Sequence, residues 1–396
     1  MLGNQKVKDL GLRGDYDIYA WHSQRAWVEI NGSALSNNVK QLHKLLSPET
    51  ELMAVVKADA YGHGATFVAS IALEAGASWL GVATVPEGIQ LRESGIADSP
   101  IVILGATHTS EQIRAMIEWN LQPTICTSQQ ALIFSTTLEI LEIPLPIPVH
   151  IKLDTGMSRL GPKWEDAAEF VQLVKNLPKL KVASIYSHLA TSDSEDTTIM
   201  KQQQARFEAA ITQLRIFGIT SPCSHLANSA AMMSDASLHY DMVRVGLAIY
   251  GLYPAPHLQH AVSLLPVMQL KARVTQVKTI TASTGVSYNH TFIASHTMRI
   301  AVIGIGYADG IPRSLSNKIQ VLIRGQKISQ IGSITMDQMM LDVSSIPDIQ
   351  VGEVVTLLGK DGQVEISAYE WADELNTISW EILCGFKHRL PRVIIM

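Results

Sequence analysis

Eight short apolar runs alternate with amphipathic segments between about residue 50 and about residue 250. Such an alternation predicts a parallel sheet whose strands are joined by helices. Eight units of this kind fit an α/β fold of the (β/α)8 TIM-barrel type, with an open, doubly wound sheet as the alternative. The predicted strands are Leu52–Val56, Trp79–Ala83, Ile101–Leu104, Pro123–Cys126, Val149–Leu153, Val182–His188, Cys223–Leu226 and Met242–Tyr250. The predicted helices between them include Thr66–Ala75, Ser110–Trp119, Trp164–Leu177 and Met200–Phe217.

The pattern changes after about residue 263, where β-rich runs separated by glycine and proline replace the helical periodicity. This change predicts a second, mostly β domain, in which only Ile366–Leu375 has a helical pattern. We therefore expect an N-terminal extension (1–22), a barrel domain (23–262) and a C-terminal mostly-β domain (263–396). The strands predicted in the last domain are Val267–Ile280, Met298–Ile305, Ile319–Ile323, Met339–Val343 and Val354–Leu358, with hairpin turns at Arg324-Gly325 and Lys360-Asp361-Gly362.

Composition and charge exclude several classes of protein. The chain has 396 residues, of which 47% are hydrophobic and 17% charged, as expected for two packed domains rather than a disordered chain. Its net charge is −5 and it has no basic stripe, which argues against a nucleic-acid partner. It has no apolar run of the roughly 18 residues that span a bilayer and no apolar signal segment near its start. Its three cysteines are widely spaced, forming neither a disulfide framework nor a metal site. We expect a cytoplasmic protein with no membrane partner and no metal.

A lysine ends the first apolar run. Lys57 follows Leu52–Val56 and is itself followed by Tyr61 and two glycines that bracket His63. An amine at the rim of a core can lose its proton, because removal from water disfavours the charged form. A neutral amine can attack a carbonyl carbon, as Schiff-base chemistry requires. A solvated lysine at a strand end is the alternative for this residue taken alone.

Further polar residues stand where the other predicted strands end. The fifth strand leads to Arg159, the sixth ends in His188, the seventh leads to Ser229 and the eighth carries Arg244. Barrel enzymes place their catalytic groups at this edge. Because buried charges without partners cost several kcal/mol, packing alone does not explain five such residues at the ends of different strands.

The residue types suggest the kind of ligand. Ser229 stands at a strand-to-helix turn, where backbone N–H groups bind phosphate, and Gly246 allows a backbone to approach a second phosphate oxygen. Arg244 is a permanently charged donor, His188 offers a flat face for a ring, and Lys57 offers the amine. A cofactor with a phosphate, an aromatic ring and an aldehyde fits this set, and pyridoxal phosphate has all three.

Seven segments, in order along nearly the whole chain, give the sequence a specific resemblance to the alanine racemase family. They are AVVKADAYGHG (54–64), KLDTGMSRLG (152–161), HLANSAA (225–231), MVRVGLAIYGL (242–252), GVSYN (285–289), GYADGIPR (306–313) and TMDQMMLDVS (335–344). The resemblance implies a fold-type III pyridoxal-phosphate enzyme that works as a head-to-tail homodimer with shared active sites. It further implies interconversion of L- and D-alanine, which supplies D-alanine for peptidoglycan.

The same resemblance implies roles for individual residues. Lys57 would carry the cofactor as a Schiff base and act as one acid/base, and Tyr288 of the partner subunit would act as the other. Arg244 would face the ring nitrogen and keep it largely unprotonated, and Lys152 matches a lysine that can be carbamylated in relatives, where it steadies Arg159. The implied cofactor-binding residues are Lys57, Tyr61, His188, Asn228, Ser229, Arg244, Gly246, Leu247 and Trp380; the implied substrate-binding residues are Arg159 and Met336; the implied entrance residues are Tyr307, Asp193 and Arg313.

Three positions depart from the family pattern. Trp380 stands where the family often has a tyrosine, Ser333 where some relatives have an entrance arginine, and Thr335 where a cysteine is common. A racemase with serine, lysine or broader specificity is therefore an alternative function. A non-catalytic pyridoxal-phosphate carrier or a barrel-type decarboxylase are others. The β domain with Tyr288 argues against the carrier, and the DTGMSRLG and VSYN motifs argue against the decarboxylase.

Overall fold

A computed structural model of the protein describes residues 25–220 and 223–396. These residues form two compact units. One unit is Asn31–Val267 together with the last two residues, and the other combines the segment that ends at Ile30 with Met268–Ile394. The predicted extension 1–22 lies outside the described residues, and the boundaries 23–262 and 263–396 stay a prediction.

The first unit contains an eight-stranded parallel sheet in the order β8-β7-β6-β5-β4-β3-β2-β9. Main-chain hydrogen bonds link each edge strand to a residue next to the other, since Arg244 N donates to Ala227 O over 3.0 Å and Asp241 N to Ser224 O over 3.0 Å. The predicted (β/α)8 barrel is therefore confirmed. Its strands are β2 (Glu51–Val55), β3 (Trp79–Val82), β4 (Ile101–Ala106), β5 (Gln122–Ile125), β6 (Ile147–Lys152), β7 (Leu180–Tyr186), β8 (Ser224–His225) and β9 (Met242–Val245).

Helices connect the barrel strands. Several begin at residues whose side chains cap the first turn; Thr109 and Thr127, for example, accept hydrogen bonds from the main chain three residues later. Among the described residues no helix is both long and apolar enough to cross a membrane. The helices are α1 (Gly32–His43), α2 (Ala65–Glu74), α3 (Val85–Glu93), α4 (Ser110–Glu118), α5 (Ser128–Ile140), α6 (Ala167–Asn176), α7 (Thr198–Ile216) and α8 (Ser229–Ser234).

The last barrel strand is shorter than predicted. The sequence predicted Met242–Tyr250, but the strand ends at Val245 and Leu247–Tyr250 forms a 3-10 turn. Burial explains the error, since the whole stretch from Met242 to Tyr250 is buried and apolar periodicity cannot locate the end of a buried strand. The N–H groups of Gly246 and Ala248 face the Ser229 hydroxyl instead of a neighbouring strand.

The second unit is mostly β, as predicted. Six of its strands (β10, β13, β16, β15, β14 and β17) pair in antiparallel fashion around a ring that closes where β17 meets β10. β1 also belongs here, because Ala26 pairs with Ala272 of β10. The strands are β1 (Ala26–Asn31), β10 (Met268–Ile280), β11 (Gly285–Val286), β12 (Phe292–Ile293), β13 (Met298–Ile303), β14 (Gln320–Ile323), β15 (Gln326–Ile331), β16 (Met339–Asp342), β17 (Val354–Asp361), β18 (Val364–Ile366) and β19 (Arg392–Ile395).

Two hairpins and two helices complete the second unit. Arg324-Gly325 turns between β14 and β15, with both residues at positive φ, as the predicted tight turn requires. The other predicted hairpin joins β17 to β18. The predicted helix is α9 (Ala368–Leu375), whose first turn is closed by Ser367 and Glu370. The expectation of a single helix was wrong, because α10 (Ser379–Gly385), only seven residues long, follows it.

Candidate active site

Lys57 opens a left-handed helical turn directly after β2. The turn covers Lys57–Gly62, and its four residues from Ala58 to Tyr61 have φ between 52° and 54°. A left-handed conformation costs an L-residue about 1–2 kcal/mol, so four in succession need support from the surrounding structure. This turn sets the directions in which the Lys57 and Tyr61 side chains leave the backbone.

Two carboxylates hold the left-handed turn. Glu87 Oε1 accepts from Ala58 N at 2.8 Å, and Glu87 Oε2 accepts from Ala83 N at 2.7 Å. Asp59 Oδ1 accepts from Ala65 N at 2.8 Å and so ties the turn to α2. Sequence reasoning missed Glu87. Its Thr84-x-x-Glu87 spacing indicates a helix cap, but no local pattern indicates the bond to Ala58.

Tyr250 supports the same turn from the opposite side. Its hydroxyl donates to Val55 O at 2.9 Å, at the end of β2. Its ring stacks on His63 with centroids 4.4 Å apart and lies 4.9 Å from the Tyr61 ring. Tyr61 is 8% exposed and is thereby fixed between β2 and the end of β9.

Polar groups from three loops gather around Gly246. The Ser229 hydroxyl accepts from Gly246 N at 3.0 Å and from Ala248 N at 3.4 Å. A Cβ atom at Gly246 would lie 2.6 Å from the Tyr61 hydroxyl oxygen, so a side chain there would displace Tyr61. Hydroxyl and main-chain N–H groups in this arrangement can bind an anion. We call Tyr61, Ser229, Gly246 and the adjoining Leu247 the anion cradle.

Asn228 supports the anion cradle through hydrogen bonds of its side chain. Its side-chain oxygen accepts from Ala231 N at 3.1 Å, which caps α8, and from the Ser192 hydroxyl at 2.9 Å. The cap places Ser229 at the first position of the helix. Asn228 therefore orients the cradle, and its side-chain oxygen is already engaged in the protein.

Arg244 is buried in the barrel, with 4% of its surface exposed. It donates to His225 Nδ1 at 2.9 Å, to Ser187 O at 2.7 Å and to His188 Nδ1 at 3.2 Å. Its guanidinium carbon lies 5.1 Å from the centre of the Tyr186 ring. Burial lowers the pKa of Arg244 to about 10, which still leaves the group charged near neutral pH.

The mouth of the barrel carries positive charge. Burial lowers the pKa of His188 well below its ordinary value, and the charges of four cationic side chains lower it further. A neutral imidazole among cations is suited to an anionic ligand, because the cations attract the ligand and the ring contributes no charge. The four cations are Arg244, Lys152, Arg159 and Lys57.

Lys152 is the most buried of the lysines at the mouth. Burial, followed by the charges of Arg244, Arg159 and Lys57, lowers its pKa to about 8. Its amine lies 5.4 Å from the centre of the Tyr186 ring. Part of the Lys152 population is therefore uncharged at slightly alkaline pH, when the amine is reactive. Arg159 and Asp193 lie exposed in the loops after β6 and β7.

The second unit carries Tyr288 on a strained loop between β11 and β12. Tyr288 is 68% exposed. Its neighbours Ser287, Asn289 and His290 all have positive φ, between 47° and 64°. The Ser333 hydroxyl donates to Tyr288 O at 2.9 Å, which anchors the loop. An open groove of about 680 Å³ lies beside the tyrosine.

An ion pair between a partly exposed arginine and a fully buried aspartate fixes the loops that carry Tyr307 and Met336. Asp309 has no exposed surface and accepts two hydrogen bonds from Arg25, each of 2.7 Å. Tyr307 N and Ala308 N donate to the carbonyls of the segment that ends at Met336, over 3.0 Å each. Met336 is 53% and Tyr307 40% exposed, so both side chains are available for contact.

The remaining predicted residues also lie in the second unit. Arg313 is exposed and lines a groove of about 430 Å³ together with Tyr307 and Glu381. Trp380 is the second residue of α10 and is partly exposed. The structure thus brings Lys57, Tyr61, His188, Ser229 and Arg244 to one end of the barrel, and it places Tyr288, Tyr307, Arg313, Met336 and Trp380 in the β unit.

Comparisons with known proteins identify the family. The family model "Alanine racemase, N-terminal domain" matches residues 30–254, and "Alanine racemase, C-terminal domain" matches residues 267–394. The alanine racemase of Nostoc sp. (strain PCC 7120) is 68% identical over 380 residues, covering 96% of this chain and 98% of that protein. The alanine racemase of Synechocystis sp. (strain PCC 6803) is 58% identical over 372 residues, covering 94% and 99%. Among solved structures, alanine racemase from Bacillus anthracis with bound L-Ala-P is 33% identical, with a TM-score of 0.88 and coverage of 94% and 95%. The chain belongs to the alanine racemase family of isomerases.

Proposed function

We propose that this chain interconverts L- and D-alanine with pyridoxal phosphate held at the mouth of the barrel. The observation that carries the proposal is the anion cradle beside Lys57, at a mouth with four cationic side chains. Membership of the family supports the reaction, and the Bacillus anthracis relative was solved with bound L-Ala-P. Trp380 and the exposed entrance residues leave a racemase with serine or broader specificity as the second candidate.

The residues at the mouth fit the cofactor. A Cβ atom at Gly246 would crowd the Tyr61 hydroxyl, and the Ser229 and Tyr61 hydroxyls beside it provide donors for a phosphate. Arg244 is a charged donor with no carboxylate among its hydrogen-bond partners, which suits an acceptor nitrogen on a ring. When bound, pyridoxal phosphate supplies an aldehyde that condenses with an amine. It also supplies a ring that withdraws electrons from the carbon attached to the amine nitrogen.

Racemisation requires two acid/base groups on opposite sides of one carbon. Lys57 would hold or return the proton on one face through Nζ, and Tyr288 of the partner subunit would do so on the other through its phenol oxygen. The support for a shared site is that Tyr288 is 68% exposed, on a loop held by its own hydrogen bonds and beside an open groove. An exposed aromatic side chain on a fixed loop is suited to contact with a second chain.

Other residues would bind and orient the substrate. Arg159 and the backbone of Met336 would receive the carboxylate, and Tyr307, Asp193 and Arg313 would narrow the entrance. The positive charge of the mouth supports this assignment, because an α-carboxylate gains from neighbouring cations. The D-alanine produced in the cytoplasm would supply peptidoglycan synthesis.

The test follows the formation of D-isomers from L-alanine and, separately, from L-serine and L-lysine. We expect D-alanine from the wild type and none from Lys57→Ala. Absence of D-alanine from the wild type would reject the proposal, and faster formation of D-serine or D-lysine would favour the broader racemase. A non-catalytic carrier would bind pyridoxal phosphate but convert none of the three.

The shared site has its own test. Mixing Lys57→Ala with Tyr288→Phe gives mixed dimers in which one of the two sites has both wild-type groups, if the tyrosine acts across the dimer. We expect the mixture to regain activity that neither variant has alone. A mixture as inactive as its components would show that each chain uses its own tyrosine.

A further inference from the structure

A chain of hydrogen bonds crosses the interior of the barrel and ends at Arg244. One side chain from each of five neighbouring strands, β5 to β9, takes part. Four of the five, all except Gln122, are at most 4% exposed. The contacts are Gln122 Oε1 to His150 Nε2 at 2.7 Å, His150 Nδ1 to Ser184 Oγ at 2.6 Å, Ser184 Oγ to His225 Nε2 at 2.9 Å, and His225 Nδ1 to Arg244 Nη1 at 2.9 Å.

The chemistry of the groups fixes the direction of every bond. Arg244 can only donate, so His225 Nδ1 accepts. A neutral His225 then carries its proton on Nε2 and donates it to the Ser184 hydroxyl. Ser184 in turn donates to His150 Nδ1, and His150 donates through Nε2 to the carbonyl oxygen of Gln122. Burial favours neutral rings here, since it lowers the pKa of His225 well below the ordinary value and that of His150 to about 3.

We propose that Ser184 is a positioning residue of the racemase, because its hydroxyl accepts the Nε2 proton of His225 and so holds the imidazole, in the form that Arg244 requires, against the guanidinium. This proposal rests on the proposed function, in which Arg244 faces the ring nitrogen of the cofactor. A hydroxyl accepts one hydrogen bond while donating another, as the position between two imidazoles requires. Alanine at this position would leave two buried ring nitrogens without partners.

Ring packing alone does not select the tautomer. Tyr186 stacks on His225 with the planes 5° apart and the centroids 4.7 Å apart, which fixes the plane of the imidazole. Stacking is the same whichever nitrogen carries the proton. Arg244, which can only donate to Nδ1, selects the form that is protonated on Nε2, and the Ser184 hydroxyl provides the acceptor for that proton.

The orientation of Arg244 affects which reaction follows. A charged guanidinium facing the ring nitrogen of bound pyridoxal phosphate would give that nitrogen no proton, so the ring would withdraw electrons less strongly. If Arg244 turned away, water could protonate the nitrogen, and the more strongly electron-withdrawing ring would favour transamination, which converts alanine to pyruvate. A variant in which the Arg244 guanidinium is held less firmly should therefore give a higher ratio of pyruvate to racemised alanine.

The experiment compares Ser184→Ala, Ser184→Thr and the matched control Ser135→Ala in the full chain. Ser135 is also buried, and it donates to Pro178 O at 2.8 Å from α5, outside the network. Long-range ¹H–¹⁵N spectra of histidine-labelled protein, recorded without and with pyridoxal phosphate, report which ring nitrogen is protonated. Racemisation and pyruvate formation are measured on the loaded protein.

We expect His225 protonated on Nε2 in the wild type, in Ser184→Thr and in Ser135→Ala. In Ser184→Ala the His225 nitrogen signals should shift, kcat should fall about tenfold, and the pyruvate ratio should rise. Protonation of wild-type His225 on Nδ1 would overturn the proposal even if Ser184→Ala fails to fold. An unchanged pyruvate ratio in a folded Ser184→Ala would also overturn it. Absence of D-alanine from the wild type, in contrast, would reject the proposed function, and the spectra of the unloaded chain would still test the tautomer.

Discussion

Ser333 donates a hydrogen bond through its side-chain hydroxyl to the main-chain oxygen of Tyr288, over 2.9 Å. The contact is reciprocated, since the Ser287 hydroxyl donates to Ser333 O over 2.6 Å. These two bonds close the strained loop that presents Tyr288. Ser333, a small buried residue, therefore holds the loop that carries Tyr288 through both its hydroxyl and its main-chain oxygen.

Substitution of Ser333 by alanine should slow racemisation. The loop would lose one buried hydrogen bond, worth about 1 kcal/mol, while keeping its left-handed residues. We expect kcat to fall about fivefold to tenfold with little change in KM. Ser333→Thr keeps the hydroxyl and should retain most activity, and Ser295→Ala removes an exposed hydroxyl elsewhere in the β unit as a control. A Ser333→Ala variant with wild-type kcat would show that the loop does not need this bond.

Alanine at Gly246 should weaken the binding of pyridoxal phosphate. The new methyl group would lie 2.6 Å from the Tyr61 oxygen, inside the anion cradle. Overpacking of this kind costs about 1–3 kcal/mol, or roughly a fivefold to 150-fold rise in Kd. Titration of cofactor-free protein, followed by fluorescence, measures the change. Gly385→Ala is the control, because its Cβ would meet only Gly310 O, at 3.7 Å. Equal Kd values for the two variants would count against the cradle.

The pH dependence of stability should contain a contribution from Lys152. Its pKa is about 8 in the folded chain, below the ordinary 10.5. Between these values the unfolded chain binds a proton that the folded chain has released, so the free energy of unfolding rises with pH across this window. Below pH 8 Lys152 is charged in both the folded and the unfolded chain, so the free-energy cost of burying its charge does not change with pH. The full effect is about 3 kcal/mol.

Urea unfolding of the wild type and of Lys152→Met, in buffer free of carbon dioxide, measures this contribution. The difference in unfolding free energy between the two proteins should grow in favour of the wild type from pH 8 to pH 10.5. A difference that stays constant over this range would contradict the lowered pKa. Lys175→Met changes a lysine on α6 and serves as the control.

Bicarbonate should convert Lys152 to a carbamate. The uncharged amine is the form that attacks carbon dioxide, and the product would be an anion near Arg159, whose charge already acts on this lysine. With ¹³C-labelled bicarbonate we expect a carbamate carbon resonance in the wild type that is missing in Lys152→Met. If both proteins gave the same spectrum, the carbamate would have to be on another lysine or not be formed.

Loss of Arg25 should destabilise the β unit. Arg25→Met would remove the main partner of the fully buried Asp309 carboxylate, which costs about 1–3 kcal/mol because Arg389 stays 3.6 Å away and Gly306 N still donates to it. Arg324→Met is the matched control, because its ion pairs with Asp348 and Glu353 lie near the surface and should contribute little to stability. Thermal unfolding should show a clearly larger fall in Tm for Arg25→Met. Similar falls in Tm for the two variants would mean that the Arg25–Asp309 pair stabilises the unit no more than a surface ion pair does.

The fold could be predicted from the sequence where periodicity is local. The barrel strands and the β-rich second half follow from alternating apolar runs. The end of β9 could not be predicted, because Val245 and Leu247 are both fully buried and the turn between them depends on the distant Ser229. Nor could the sequence show that Ala26 pairs with Ala272, since such pairing depends on contacts remote in the chain.

The candidate site likewise has features that the sequence predicts and features that it does not. Lys57, Ser229 and Arg244 are visible as polar residues at strand ends, and the family resemblance assigns their roles. The sequence does not indicate the left-handed turn after Lys57, because alanine residues such as Ala58 and Ala60 normally favour a right-handed helix. Ser184 is likewise inconspicuous, since nothing near it in the sequence indicates that it lies between two histidines.

The pairing of β1 with β10 has a consequence for synthesis of the chain on the ribosome. β1 emerges first but adds to a sheet whose other strands follow the entire barrel segment. At about 5–20 residues per second, the wait is on the order of tens of seconds. During that time β1 presents an incomplete edge, a form that chaperones and proteases recognise. The barrel segment, which is continuous in the chain, can fold during this interval.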